Sequence, residues 1–420
     1  MRRRYFGTDG VRGVVGVDLT TDLVERLGRA FALWAAGASV LVGRDTRASG
    51  PAFEEVLAAG LAGAGSDVVR GGVLPTPAVA LLAGDDHGAV ISASHNPPEY
   101  NGLKFFAEGG RKLSDAEEEA VEELLDGAAA NGGRLRADEG LGSRYVEVVS
   151  ERFGAPLPDL RLVLDCANGA MYEVAPAVFE KLGAHVAIIG NQPDGTNINV
   201  GCGATDLSLL RETVRAGRFD LGAAFDGDGD RMLAVDAAGE DVDGDQILAV
   251  VALYLGVDLV AVTEMTNLGF HRLMAERGVR VVTTEVGDRY VAEALRREDG
   301  VLGGEQSGHL IYLEGHTTGD GLVAALLLSR AVAESGRPLA ELAAVMPKFP
   351  QVKTNVPVRS KEISAELRGR IDEVAGKGRI VVRPSGTEPV VRILAEAETE
   401  QAASDLCGRI AALVSRELGS

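Results

Sequence analysis

The chain of 420 residues contains only three cysteines, and they lie far apart at Cys166, Cys202 and Cys407. None of them has the close spacing to another ligand residue that a zinc site or a redox motif requires. We therefore expect them to be buried or incidental thiols of a protein that works in a reducing compartment.

Long apolar segments are also missing. The longest uncharged apolar run, from Ile247 to Val257, is well short of the ~18 residues that a membrane-spanning helix requires. The basic start at Met1 to Arg4 is similar to the first part of a secretion signal, but the polar segment Gly7 to Gly10 follows it instead of an apolar one. These features predict a soluble, cytoplasmic protein without a membrane partner.

Positive charge is scarce, because 42 Lys and Arg residues stand against 62 Asp and Glu residues and give a net charge of −20. This excess argues against a nucleic-acid partner, which requires a basic binding face. It also repels anionic ligands, so that an anionic substrate must be held by local positive charge. The length predicts several domains rather than one.

One arrangement of apolar and polar segments occurs three times along the chain. Each copy begins with an apolar strand that leads through a polar or glycine-containing loop into a helix; these strands are predicted at 39–42, 161–164 and 259–263. Each copy ends with a strand that leads into a polar motif, predicted at 88–91, 220–225 and 301–302. Continuous apolar strands that alternate with helices indicate α/β domains with mixed, largely parallel sheets.

We predict three similar α/β domains and a smaller α+β C-terminal domain, arranged around a central cleft, at 1–155, 156–254, 255–350 and 351–420. Pro156 and Pro158 mark the first boundary, and the segment 347–357, with three prolines, predicts a linker or an edge strand. The segment 127–142 is rich in glycine and alanine and predicts a surface loop within the first domain.

The first polar motif, Ser92 to Pro97, offers the hydroxyl of Ser94 as a nucleophile. It lacks the Gly-x-Ser-x-Gly pattern of an esterase, and a serine near a metal ion and basic side chains suits phosphoryl transfer better. Lys104 is a candidate proton shuttle or phosphate partner. We expect His95 to orient the serine rather than to act as a base.

The second motif contains Asp226, Asp228 and Asp230, whose spacing places three carboxylates on one side of an extended segment. Oxygen ligands of this kind suit Mg²⁺. An EF-hand is excluded, because Arg231 and Ala237 occupy the positions where glycine and glutamate are required. A second set of carboxylates has the same spacing but precedes a helix, where we expect turn and N-cap residues: Asp241, Asp243 and Asp245.

Two further motifs suit a sugar phosphate. The third offers hydrogen-bonding groups for sugar hydroxyls from Glu305, Ser307 and His309. The fourth follows a strand and combines hydroxyls, a guanidinium and backbone N–H groups into a second phosphate site, formed by Arg383, Ser385, Gly386, Thr387 and, from the next strand, Arg392. A chain that binds two phosphates, one metal ion and a polyol is most simply a sugar-phosphate phosphotransferase.

In this order, the motifs resemble the α-D-phosphohexomutase superfamily nearly from end to end. Phe6 to Gly13 and Val286 to Val291 add to the match. Gln306 and the segment Asn197 to Gly203 are similar to the branch that acts on glucosamine phosphates. The segment Pro97 to Gly102 looks more like the phosphomannomutase and phosphoglucomutase branch, so that the sugar preference stays open at this point.

The resemblance implies interconversion of glucosamine 6-phosphate and glucosamine 1-phosphate through a phosphorylated Ser94 and a bisphosphorylated sugar; the alternative is a phosphomannomutase or phosphoglucomutase of the same superfamily. It implies Mg²⁺ bound by phosphorylated Ser94 and the aspartate triplet, glucosamine or glucose 1,6-bisphosphate as activator, and a homodimer. The catalytic residues it implies are Ser94, Lys104, Arg12, His95 and Arg231. The substrate-binding residues it implies are Glu305, Ser307, His309 and Arg289.

Two rival functions remain open from the residues themselves. Asp226 could be the nucleophile of an aspartyl-phosphate phosphatase, since its strand ends in Asp-x-Asp. Asp230 stands where such enzymes carry a small hydroxyl residue, and this counts against the alternative. A sugar-phosphate binder without catalytic activity is the other rival, but the candidate catalytic residues Ser94 and Lys104 are both present.

Overall fold

The computed structural model describes residues 4–7, 9–128, 132–375, 378–385 and 388–419, which form four sheets flanked by helices. Three sheets are mixed with a parallel centre, and the fourth is antiparallel. The predicted fold class, three α/β domains and a smaller α+β domain, is thereby confirmed. No helix among the described residues is both long enough and apolar enough to cross a membrane.

The first domain contains the strands β1 (Val11–Val14), β2 (Val40–Arg44), β3 (Val68–Val73), β4 (His87–Ile91), β5 (Tyr100–Ala107), β6 (Arg111–Lys112) and β7 (Leu135–Ala137). Its helices are α1 (Thr21–Trp34), α2 (Gly50–Gly63), α3 (Thr76–Ala83), α4 (Asp115–Glu123) and α5 (Leu141–Phe153). The strand order is β1-β5-β4-β2-β3-β7, with β6 beside β5.

The surface loop predicted at 127–142 is wrong in part. The segment contains β7, which pairs in parallel with β3, and the start of α5. Leu135 to Ala137 are exposed, so that this short edge strand has no buried face and no apolar pattern that would predict it. Main-chain hydrogen bonds to β3 hold it in place. Residues 129–131 lie outside the described ones.

The second domain contains β8 (Arg161–Asp165), β9 (His185–Ile189), β10 (Leu221–Phe225), β11 (Met232–Asp236) and β12 (Asp241–Val242), with the helices α6 (Val174–Lys181) and α7 (Ser208–Gly217). In the next segment, α8 (Gly244–Leu255) precedes the sheet of β13 (Leu259–Thr263), β14 (Arg280–Thr284), β15 (Leu302–Gly304) and β16 (Leu310–Tyr312). The helices of this third domain are α9 (Leu268–Glu276), α10 (Asp288–Glu298), α11 (Gly321–Ser335) and α12 (Leu339–Ala343).

The C-terminal domain contains β17 (Gln351–Pro357), β18 (Arg379–Pro384) and β19 (Val390–Glu396), covered by α13 (Ala365–Ala375) and α14 (Glu400–Leu418). The proline-rich segment before it ends in β17, which pairs only with β19 among the described strands and is an edge strand. This domain has its own apolar core, whereas one continuous core joins the first three domains.

The three α/β sheets place the polar motifs at equivalent positions. The strands β4, β10 and β15 each run in parallel with a neighbour of their sheet and end just before Ser94, Asp226 and Glu305. Side chains that follow the carboxyl ends of parallel strands are the usual ligand-binding groups of such sheets. The fold thus provides a polar edge on each of the three domains.

Candidate active site

The first motif forms a tight loop directly after β4. Ser94 has a φ of 53°, in the left-handed region that residues with side chains seldom adopt. Its backbone N–H donates a hydrogen bond to Ser92 Oγ at 2.9 Å, and the residue is fully buried. The loop therefore holds the Ser94 hydroxyl in one direction, towards the second domain.

The Ser94 hydroxyl meets the second motif across the boundary between two domains. Ser94 Oγ donates a hydrogen bond to Asp226 Oδ2 at 2.6 Å. Gly227 permits this close approach, because a Cβ atom at that position would lie 2.6 Å from Ser94 O. Gly229, with a φ of 74°, turns the chain between the second and third aspartates.

The three carboxylates of the second motif gather at one point. One oxygen atom from each of Asp226, Asp228 and Asp230 lies within 4.8 Å of the other two. Asp228 Oδ1 and Asp230 Oδ1 are buried and have no hydrogen-bond partner among the described residues. An unpaired buried oxygen is costly, and carboxylate oxygens are the ligands that Mg²⁺ prefers. The residues present therefore fit a divalent cation.

Lys104, which projects from β5, holds the cluster together in this structure. Its Nζ donates to Asp228 Oδ2 at 2.7 Å and to Asp230 Oδ2 at 2.8 Å, and it lies 3.1 Å from Asp9 Oδ2. Burial disfavours the ammonium charge, but these three carboxylates outweigh burial and raise the pKa of Lys104 well above its ordinary value. Burial and the two neighbouring carboxylates raise the pKa of Asp226, which a cation would counteract.

Next to the cluster lies a cavity of about 380 Å³ that is lined by residues of the first three domains, among them Tyr5, Asp9, Arg12, Arg231, Glu305 and His309. Of these, Asp9, Arg231 and His309 lie within 4.0 Å of Lys104 or Asp230. Arg12 and Arg231 supply its positive charge. The Nε atoms of both are buried and have no hydrogen-bond partner within the described part of the chain. Unpaired guanidinium donors suit a phosphate group. The two arginines thus provide local positive charge for an anionic ligand in a cavity that carboxylates also line.

His95 lies beside the candidate nucleophile, with Nδ1 3.2 Å from Ser94 Oγ. Burial, followed by the positive charges of Arg231 and Arg12, lowers the pKa of His95 to about 4. The imidazole is therefore neutral near pH 7. A neutral ring at this distance orients the serine hydroxyl, whereas a pKa this low makes it a weak base.

The third motif connects β15 to β16 and faces the same cavity. Glu305 lines the cavity and accepts a hydrogen bond from Gly287 N at 3.2 Å, and burial raises the pKa of its carboxyl group. His309 also lines it, and its Nε2 lies 3.2 Å from Asp288 Oδ2. Ser307 is exposed on the same turn.

Arg289 points elsewhere and does not line the cavity. Its Nη1 donates to Leu113 O at 2.7 Å and lies 3.0 Å from Asp115 and 3.3 Å from Glu118, so that the buried guanidinium joins the third domain to the first. A substrate contact of Arg289 therefore stays a prediction from the resemblance alone.

The fourth motif contributes two facing arginines. Arg383 of β18 and Arg392 of β19 are register partners in the antiparallel pair. Both line a cavity of about 240 Å³, together with Lys353 and Asn355 of β17. Like charges at facing positions of two strands repel each other, and an anion between them would offset this repulsion.

Ser385 follows β18 and is buried, with its Oγ accepting a hydrogen bond from Glu388 N at 3.2 Å. Lys361 Nζ donates to Ser385 O at 2.6 Å, a contact that the sequence did not predict. The predicted phosphate-binding residues Gly386 and Thr387 lie outside the described residues.

Sequence reasoning missed three polar residues that support the cluster. Lys112 Nζ lies 2.6 Å from both Asp9 Oδ1 and Asp288 Oδ2. Thr76 Oγ1 donates to Asp228 Oδ2 at 2.5 Å. Asp9 lies in the segment 6–13, which carries part of the family resemblance, and this resemblance was the only feature of the sequence that pointed to Asp9. Lys112 and Thr76 follow no local pattern, because their partners lie 103 and 152 positions away in the sequence.

Four family models match the chain in order. They are the phosphoglucomutase/phosphomannomutase α/β/α domain I at residues 3–131, domain II at 143–239, domain III at 243–349 and the C-terminal domain at 330–413. Together the matched ranges cover most of the chain and include each of the four motifs.

Comparisons with individual proteins agree with the family models. The phosphoglucosamine mutase of Moorella thermoacetica is 46% identical, covering 94% of this chain and 95% of its own length. That of Saccharopolyspora erythraea is 48% identical, covering 98% of this chain and 99% of its own length. The crystal structure of a phosphoglucomutase/phosphomannomutase family protein from Burkholderia thailandensis superposes with a TM-score of 0.84 at 25% identity, covering 98% of this chain and 97% of that one.

Proposed function

This chain belongs to the phosphoglucomutase/phosphomannomutase family, and we propose that it interconverts glucosamine 6-phosphate and glucosamine 1-phosphate. The observation that carries the proposal is the 2.6 Å hydrogen bond between Ser94 Oγ and Asp226 Oδ2, near a cavity that Arg12 and Arg231 line. The near full-length similarity to two phosphoglucosamine mutases supports the amino-sugar substrate. Enzymes of this kind are isomerases that act by phosphoryl transfer.

The reaction begins with a phosphoryl group on Ser94. A free hydroxyl of the bound sugar monophosphate attacks this phosphorus, so that the new bond to the sugar oxygen forms while the bond to Ser94 Oγ breaks. The proton of the sugar hydroxyl replaces the phosphoryl group on the serine oxygen, directly or through Lys104. The resulting bisphosphate turns end for end, and its other phosphate returns to Ser94 by the same steps in reverse.

The residues of the cavity have separate roles in this scheme. Arg12 and Arg231 bind the phosphoryl group during transfer, since both carry unpaired buried Nε donors. Lys104 is protonated, because its carboxylate neighbours raise its pKa, and it neutralises charge and supplies a proton to the serine oxygen. Glu305, Ser307 and His309 bind sugar hydroxyls, and His95 orients Ser94.

The aspartate triplet would hold Mg²⁺ through its oxygen atoms. When bound, the ion neutralises the charge that develops on the transferred phosphoryl oxygens. The second arginine pair, Arg383 and Arg392, binds the phosphate group of the substrate that is not being transferred. Glucosamine or glucose 1,6-bisphosphate would serve as activator by restoring the phosphoserine whenever water has removed its phosphate.

A substrate panel tests the proposal. Purified protein, Mg²⁺ and glucose 1,6-bisphosphate are incubated separately with the 1-phosphates of glucosamine, glucose and mannose, and the products are followed by ³¹P NMR. The proposal predicts the highest kcat/KM with glucosamine 1-phosphate. Preference for glucose or mannose phosphate would assign the chain to the phosphoglucomutase or phosphomannomutase activity that the segment 97–102 resembles. No turnover of any of the three would refute a mutase.

A further inference from the structure

Arg47, in the loop after β2, is a fully buried charged residue to which the mechanism above gives no role. Its guanidinium reaches four carbonyl oxygens of the loop that carries Ser94. Nη2 donates to Ser94 O at 2.9 Å and to Asn96 O at 2.8 Å, and Nη1 donates to Tyr100 O at 2.9 Å and to Pro97 O. A single side chain therefore fixes the main chain on both sides of the candidate nucleophile.

Asp45 fixes Arg47 and links it to Ser94 by a second route. Asp45 Oδ2 accepts hydrogen bonds from Arg47 Nε at 2.9 Å and from Ser92 Oγ at 2.6 Å. Ser92 Oγ in turn accepts one from Ser94 N at 2.9 Å. Both backbone groups of Ser94, its N–H and its carbonyl, are thus connected to the same buried ion pair.

The second domain adds another donor to the same two carbonyls. Asn199 Nδ2 donates to Ser94 O at 2.9 Å and to Asn96 O at 3.2 Å. Two side chains from different domains, Arg47 and Asn199, therefore converge on the backbone of the strained residue. A left-handed φ of 53° is unfavourable at a serine, and hydrogen bonds of this kind keep Ser94 in that conformation.

We propose that Arg47 is a positioning residue for phosphoryl transfer, which acts by holding Ser94 in its left-handed conformation so that the hydroxyl faces the aspartate triplet. The inference rests on the proposed function, since it assumes that Ser94 carries the phosphoryl group. Transfer depends on close alignment of the oxygen and phosphorus atoms, so that a small displacement of Ser94 slows it without weakening the contacts that bind the sugar. Lysine cannot replace Arg47, because a compact ammonium group lacks the planar fork that serves several carbonyls at once.

The test compares Arg47→Lys with Arg44→Lys. Arg44 is the last residue of β2, three positions before Arg47, and its side chain pairs with Glu54 at 3.0 Å. Among the described residues, this side chain donates no hydrogen bond to the Ser94 loop. We expect Arg47→Lys to lower kcat at least tenfold while KM changes less than twofold, and to slow phosphorylation of Ser94 by glucose 1,6-bisphosphate, followed by intact mass, by a similar factor. Arg44→Lys should leave both rates within twofold of the wild type.

A second variant keeps the test decisive should Arg47→Lys fail to fold. Asn199→Ala removes the other donor to the same carbonyls and should also lower kcat and the rate of Ser94 phosphorylation, by a smaller factor, with little change in KM. The inference is overturned if Arg47→Lys folds and its Ser94 is phosphorylated at the wild-type rate. If Arg47→Lys does not fold, phosphorylation of Ser94 at the wild-type rate in Asn199→Ala overturns it. A wild-type protein that accepts no phosphate at Ser94 would instead refute the proposed function.

Discussion

Ser94 Oγ and Asp226 Oδ2 lie 2.6 Å apart, although 132 positions separate them in the sequence. The contact joins the carboxyl ends of β4 and β10, which belong to different sheets. It puts a hydroxyl beside three clustered carboxylates, and a shared cation requires this proximity.

Removing one carboxylate of the triplet should weaken metal binding. In Asp230→Asn the neutral amide takes the place of an unpaired buried oxygen, so that the site loses one negative ligand. Since a metal ion supplies several kcal/mol of charge stabilisation in the transition state, we expect kcat to fall roughly a hundredfold or more. The Mg²⁺ concentration for half-maximal activity should also rise, as measured by titration after chelation.

The matched control is Asp243→Asn in the second aspartate triplet. Asp243 is the N-cap of α8, and asparagine caps helices as well as aspartate does. Its Mg²⁺ titration should superpose on that of the wild type. An equal effect of the two variants would contradict a metal site at the first triplet.

Loss of Arg392 should weaken substrate binding more than it slows the chemistry. Arg392→Ala removes a charge-assisted hydrogen bond to the phosphate that stays bound, and such bonds contribute about 1.5–3 kcal/mol. We expect KM for the hexosamine phosphate to rise roughly tenfold to a hundredfold. Arg370→Ala, which breaks a surface pair with Glu417 in the same domain, serves as control and should leave KM unchanged. A fall in kcat alone would contradict the assignment.

His95 should not titrate near neutral pH in the unphosphorylated protein. Because burial and two arginines lower its pKa to about 4, its imidazole stays neutral from pH 5.5 upward. His95→Gln is then expected to reduce kcat modestly while the shape of the pH profile between pH 5.5 and 8 stays the same. Proton NMR of the imidazole measures the pKa directly, and a midpoint near 6.5 would contradict the description.

Asp245 should make the protein less stable as the pH rises. Burial raises the pKa of this carboxyl group from 3.8 to about 7. The protonated form is therefore favoured in the folded state, and its contribution to stability is lost as the pH increases from about 4 to 7. Asp245→Asn, which cannot ionise, should be more stable than the wild type at pH 8 by about 2–4 kcal/mol, at ~1.4 kcal/mol for each pKa unit. Denaturant unfolding at pH 5 and pH 8 measures the difference, and parallel behaviour of the two proteins would contradict it.

The pattern of apolar residues was sufficient to predict the first and last residues of some strands. The strand predicted at 259–263 coincides with β13, and the one predicted at 161–164 differs from β8 by one residue, because each is a short apolar run followed by polar residues. The N-cap role of Asp243 was predictable from its position before an apolar helix. The exposed strand β7 was not, since its pairing with β3 leaves no trace in the sequence of residues 135–137.

The residues of the candidate site also fall into two groups, those that a local sequence pattern predicts and those that it does not. Residues within a motif that follows a strand, such as Ser94 and Asp226, could be found from the sequence because the carboxyl ends of parallel strands share one edge. Arg47, Lys112 and Thr76 could not, because their partners come from distant segments of the chain, and for Lys112 and Thr76 also from another domain. A single sequence does not encode such contacts in any local pattern.

The central claim is that the oxygen of residue 94 carries a phosphoryl group between the two ends of one hexosamine. Its most direct test is to incubate the protein with glucosamine 1,6-bisphosphate and Mg²⁺ and to map phosphate by peptide mass spectrometry, with Ser94→Ala in parallel. The account predicts one phosphoryl group on Ser94 in the wild type, which is still present after added glucosamine 1-phosphate has been converted to glucosamine 6-phosphate. It predicts neither phosphate nor turnover in Ser94→Ala. Full turnover by Ser94→Ala, or phosphate on Asp226 in place of Ser94, would contradict it.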